Sequence, residues 1–161
     1  MKPINSVLLI DDDNIFNFLN KKIIEYENFA RKVSSQVNPG KALEELRQLY
    51  QSENEKFPEM IFLDINMPVM DGWEFLEEFE KFPENILEKC KVFILSSSID
   101  PRDIEKSKTY KTVKDFISKP LSPEILHTLV STQADDLKKE SILTEIESDR
   151  INTKNPFIQA A

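Results

Sequence analysis

The sequence predicts a doubly wound α/β fold, a five-stranded parallel sheet with five helices, and three observations predict it. Apolar runs of four, VLLI at 7–10, MIFL at 60–63 and VFIL at 92–95, are too short for buried helices and suit strands covered on both faces. Between them lie stretches whose apolar residues recur at spacings of three and four, as on one face of a helix. Turn and cap residues, such as NPG at 38–40 and DP at 100–101, stand at the junctions. Regular alternation of strand and helix implies a parallel sheet joined by right-handed crossovers.

VLLI is the first strand. Ile15, Leu19, Ile23 and Tyr26 then mark the core face of the first helix. RKVSSQV at 31–37 is a weaker, edge-like strand, and after NPG a second helix carries Ala42, Leu43, Leu46, Leu49 and Tyr50 on one face. MIFL is the third strand, and Asp71 followed by Glu74 is the capping-box signature of a third helix through GWEFLEEFEKF. VFIL is the fourth strand, and Asp100-Pro101 supplies an N-cap and a first-turn proline for the fourth helix. KDFIS at 114–118 is the fifth strand, and Ser122-Pro123 starts a fifth helix running to about Lys139. Residues 140–161 are polar, mixed in charge and aromatic only at Phe157; they read as a C-terminal tail, helical at first and then loose, with no output domain.

Composition restricts the function. The chain has 161 residues, 40% hydrophobic and 31% charged, and no apolar run approaches the roughly 20 residues of a membrane span. MKPINSVLLIDDD has neither signal-peptide nor transit-peptide character, and the single cysteine, Cys90, can form neither an internal disulfide nor a thiolate metal cage. A cytoplasmic setting is expected. A net charge of −8 disfavours attraction to nucleic-acid phosphates.

In open parallel sheets the working crevice lies beyond the carboxyl ends of the strands. Asp11-Asp12-Asp13 follow the first strand, Asp64 and Asn66 the third, Ser96-Ser97-Ser98 the fourth and Lys119-Pro120 the fifth. Clustered carboxylates repel one another unless a cation joins them, and an all-oxygen donor set without histidine or thiolate suits a hard ion such as Mg²⁺. Minus three from Asp11, Asp12 and Asp64 balances plus two from the metal and plus one from Lys119. Such a site is suited to holding a phosphoryl group on one carboxylate, its oxygens shared among the metal, Lys119 and the Ser96 hydroxyl.

VLLIDDD, FLDINMPVMDG, VFILSSS and FISKP, in this order, resemble the receiver domain of bacterial two-component response regulators, over residues 5–139. The resemblance implies a flavodoxin-like sheet of order 2-1-3-4-5. It implies that Asp64 accepts a phosphoryl group from a histidine kinase or histidine phosphotransfer protein, that Asp12 binds Mg²⁺ directly with Asp11 as its water-linked neighbour, and that Asn66 offers its backbone carbonyl. Lys119 would contact the phosphoryl oxygens, Ser96 would swing toward them and Phe116 would turn inward, altering the surface of the fourth helix, fifth strand and fifth helix for a downstream protein. It also implies a cis Lys119–Pro120 bond, a monomer or weak dimer, no nucleic-acid or membrane partner, and no enzymatic activity beyond slow self-dephosphorylation.

Two other functions fit parts of the pattern. A Mg²⁺-dependent phosphohydrolase could use Asp64 as nucleophile, but such enzymes place a second aspartate where this chain has Asn66. A pseudo-receiver, a binding module that is never phosphorylated, would have no need to keep all the acceptor-site residues. Among the remaining residues, Asp13 reads as a helix cap, Ser97 and Ser98 as loop, His127 as surface or half-buried, and Cys90 as packing. Trp73 reads as partly buried near the site, while Phe16 and Phe18 fall off the first helix's core stripe near the acidic crevice, where exposed aromatics would form a docking surface for a phosphodonor.

Overall fold

The computed structural model describes residues 3–153. The strong apolar runs become β1 (Ile4–Ile10), β3 (Met60–Leu63) and β4 (Lys91–Ser96), and the two weaker candidates become β2 (Ala30–Gln36) and β5 (Val113–Ser118). All neighbours are parallel, in the flavodoxin-like order β2-β1-β3-β4-β5. Every residue of β3 is buried, whereas edge strand β2 has no fully buried residue, so only the inner strands read as continuous apolar runs.

The helices are α1 (Asn14–Tyr26), α2 (Pro39–Ser52), α3 (Gly72–Phe79), α4 (Glu84–Leu87), α5 (Pro101–Ser107) and α6 (Pro123–Thr153). The predicted caps are in place. Asp13 accepts from the Ile15 and Phe16 amides, Asp71 and Glu74 exchange both capping-box bonds, and Asp100 accepts from the Arg102 amide. The single turn α4 is additional to the five expected helices; it buries Ile86 and Leu87, but four residues carry no readable periodicity.

Two expectations are corrected. Ile15, Leu19 and Tyr26, predicted to face the core from α1, are 71%, 52% and 84% exposed. The buried face carries Asn17, Asn20 and Ile24 instead. At its site end this face meets polar backbone, and the Asn17 side-chain Nδ2 donates to the Asp11 carbonyl at 2.9 Å. The last helix does not stop near Lys139. α6, most of a second compact unit that begins at Glu124, continues to Thr153, because no glycine or proline interrupts residues 124–153. It exposes Ile142, Leu143 and Ile146, and the rest of the predicted tail, including Phe157, lies outside the described residues.

The core beneath the site is apolar and aromatic. Ile10, Leu63 and Ile94 from three adjacent strands pack with Leu43 and Leu46 of α2 and Phe75, Leu76 and Phe79 of α3. Phe75 and Phe79 stack at 5.7 Å, and Phe57 and Phe82 join the same cluster. Close packing here fixes the strand ends that carry the polar residues above it.

Candidate functional site

Backbone register assembles the site before any side chain acts. The Asp64 amide donates to the Ile10 carbonyl at 2.9 Å, so Asp64 leaves β3 beside the point where Asp11 leaves β1. Likewise the Lys119 amide donates to the Ser96 carbonyl at 2.8 Å, setting the ends of β4 and β5 side by side. The Lys119–Pro120 bond is cis.

Carboxylate oxygens of Asp11, Asp12 and Asp64 all lie within 4.8 Å of one another; Asp11 and Asp64 are buried and Asp12 is exposed. Lys119 reaches into this group, its Nζ 2.6 Å from Asp11 Oδ2 and 3.6 Å from Asp64 Oδ2. Burial is the main cause that pushes the Asp64 carboxyl above the usual carboxylate range; the Asn66 amide, which donates to it at 3.2 Å, holds it down, Asp11 raises it, Lys119 lowers it and Asp12 raises it again. Three carboxylates against one ammonium leave a deficit of positive charge. This all-oxygen donor set could coordinate a divalent cation.

Not every predicted site residue joins the cluster directly. Asn66 contributes its backbone amide to Asp64 while its side chain is exposed. Ser96 is fully buried at the end of β4, and its hydroxyl accepts from the Ser98 amide at 3.1 Å rather than meeting the carboxylates. Phe116 is half-buried on β5, opposite Ile94. Two contacts were not anticipated. Asn17 anchors the Asp11 carbonyl, and Lys119 Nζ lies 4.3 Å from the Phe16 ring centroid. Their positions immediately after the Asp13 cap, on the turn of α1 facing the aspartate loop, were the available signal.

A family model of the response regulator receiver domain matches residues 7–131. The chain belongs to that family. The receiver is 37% identical to a two-component response regulator from Cytophaga hutchinsonii of known structure, covering 83% of this chain and 99% of that one with a TM-score of 0.76. It is 27% identical to a probable methanogenesis regulatory protein, FilR2, of Methanothrix harundinacea, over 77% of each chain. It is 28% identical to a probable cyclic di-GMP phosphodiesterase of Vibrio cholerae over 86% of its own length, but spans only 28% of that longer protein. Receivers of this family are phosphoacceptor domains rather than independent enzymes, and the clustered Asp11, Asp12 and Asp64 stand where such a receiver's acidic site is expected. Among the described residues no helix is long and apolar enough to cross a membrane.

Proposed function

We propose that Asp64 is the phosphoacceptor of a Mg²⁺-dependent signalling switch operating in the cytoplasm. The observation that carries this reading is the placement of Lys119 Nζ, 2.6 Å from Asp11 and 3.6 Å from Asp64, inside a cluster of three carboxylates. Asp11, Asp12 and Asp64, with the backbone carbonyl of Asn66, would hold the ion. Bound there, Mg²⁺ supplies positive charge and Lewis acidity to the transferring phosphoryl oxygens.

An Asp64 carboxylate oxygen attacks phosphorus as the phosphorus–nitrogen bond of a donor phosphohistidine breaks; the imidazole leaves with the electron pair and takes up a proton. Lys119 then exchanges part of its pairing with Asp11 and Asp64 for a phosphoryl oxygen. Ser96 turns its hydroxyl from the Ser98 amide toward the same group, and Phe116 moves inward behind it. That movement changes the surface of α5 and β5, which a downstream protein reads. The receiver unit in this reading comprises residues 5–139.

The donor is a histidine kinase or histidine phosphotransfer protein. Beside the acidic loop, Ile15, Phe18 and Leu19 of α1 are 71%, 59% and 52% exposed, an apolar stripe that supports docking of such a protein next to Asp64.

Intact mass after incubation with acetyl phosphate and Mg²⁺ tests the assignment. One phosphoryl group should add to the wild type, and none to Asp64→Asn or to wild type in excess chelator. Equal addition to Asp64→Asn would move the acceptor elsewhere.

A further inference from the structure

Two carboxylates hold Lys119 from within the crevice, and an aromatic ring meets its ammonium as well. The Phe16 centroid is 4.3 Å from Lys119 Nζ, whose side chain is only 12% exposed. That distance is well inside the roughly 6 Å range over which a ring face attracts a cation. The aspartate triplet itself delivers the ring. Asp13 Oδ1 accepts from the Ile15 amide at 2.9 Å and the Phe16 amide at 3.3 Å, fixing the first turn of α1. Asn17, the next residue, bonds back to Asp13 O through its amide at 3.1 Å and to Asp11 O through its side chain at 2.9 Å. Asp11 and Asp12 therefore supply site carboxylates, while Asp13 orients the side chain that covers the site lysine.

We propose that Phe16 is a positioning residue for phosphoryl transfer to Asp64, acting through Lys119. A lysine ends in a point charge on a flexible four-carbon stem, with much rotamer freedom to lose. The ring attracts that charge without adding another anion to compete with the incoming phosphoryl group. It restrains the ammonium while leaving it chemically available. Leucine at this position would keep apolar bulk and remove the π face; tyrosine would keep both.

This inference rests on Asp64 being the acceptor and Lys119 its phosphoryl contact, so the test reads the contact and the chemistry separately. In NMR spectra of the full chain, the Cε protons of Lys119 should be shifted upfield by the ring, and the shift should vanish in Phe16→Leu and persist in Phe16→Tyr. With acetyl phosphate and Mg²⁺, Phe16→Leu should lower the limiting phosphorylation rate by about two- to thirtyfold, with little change in the half-saturating donor concentration. Phe16→Tyr should restore the rate, with all three proteins melting alike. A Phe16→Leu rate equal to wild type, a Phe16→Tyr rate as low as Phe16→Leu, or no upfield shift in the wild type overturns the proposal. A wild type that shows the shift but takes no phosphoryl group on Asp64 overturns the acceptor assignment and, with it, this role for Phe16.

Discussion

Val69 is a fully exposed valine with a backbone φ of 71°, in the loop between Asp64 and α3. A β-branched side chain in the left-handed region clashes with its own backbone, and nothing packs on it to compensate. Asparagine tolerates that conformation through local hydrogen bonding. Val69→Asn should therefore stabilise the fold by about 1 kcal/mol, read as a higher urea midpoint with an unchanged slope. Other features at this scale were legible in the sequence because their causes are local. Asp13, Asp71 and Asp100 cap the helices predicted for them, since a cap depends on residues within one turn. The strain at Val69 was not legible, because no residue type in PVMDG announces a positive φ at that position. Nor was the pairing of Phe16 with Lys119, which joins residues far apart in the chain.

At the scale of elements, α3 starts where it does because Gly72 lets the helix touch the end of β3. A Cβ on Gly72 would lie 2.6 Å from Ile65 Cα and 2.7 Å from the Asp64 carbonyl oxygen, both backbone atoms that cannot rotate away. The Gly72 amide also bonds the Ile65 carbonyl at 3.1 Å. Gly72→Ala must push α3 off the strand end that presents Asp64, so it should cost roughly 1–3 kcal/mol by chemical denaturation. It should also slow acetyl phosphate labelling, as Asp64 shifts with its carbonyl. The inner strands were readable because burial on both faces leaves an apolar run, and the sheet order followed from the family resemblance that four motifs at strand ends carry. The orientation of α1 was not. Its most apolar stripe faces outward, and its inward face carries Asn17 and Asn20; the Asn17 side chain donates to the Asp11 carbonyl just past β1, a tertiary contact that periodicity does not show. The length of α6 was missed for a related reason: polarity was read as looseness in a stretch without glycine or proline.

Across the whole molecule, charge and apolar surface set opposite conditions on a partner. The chain carries a net charge of −8, and its acidic crevice gathers three carboxylates around one ammonium, so the field alone does not draw in an anionic phosphodonor. In the proposed reaction, a small donor such as acetyl phosphate would need only a divalent cation and Lys119 at the crevice. If Asp64 is the acceptor, as proposed, a protein donor must also hold its phosphohistidine in line with it, and that orientation needs contact energy from outside the crevice. The stripe of Ile15, Phe18 and Leu19 can provide it, since burying one large apolar side chain contributes about 1.5–3 kcal/mol. Phe18→Ser and Leu19→Ser replace exposed side chains, with little effect on the fold. Each should slow phosphotransfer from the histidine kinase that phosphorylates the wild type by about tenfold or more, while leaving the acetyl phosphate rate within about twofold. Time courses with the two donors, run on the same three proteins, measure the difference. A parallel loss with both donors would mean that the stripe supports the site itself, and no loss with either would move the donor to another face.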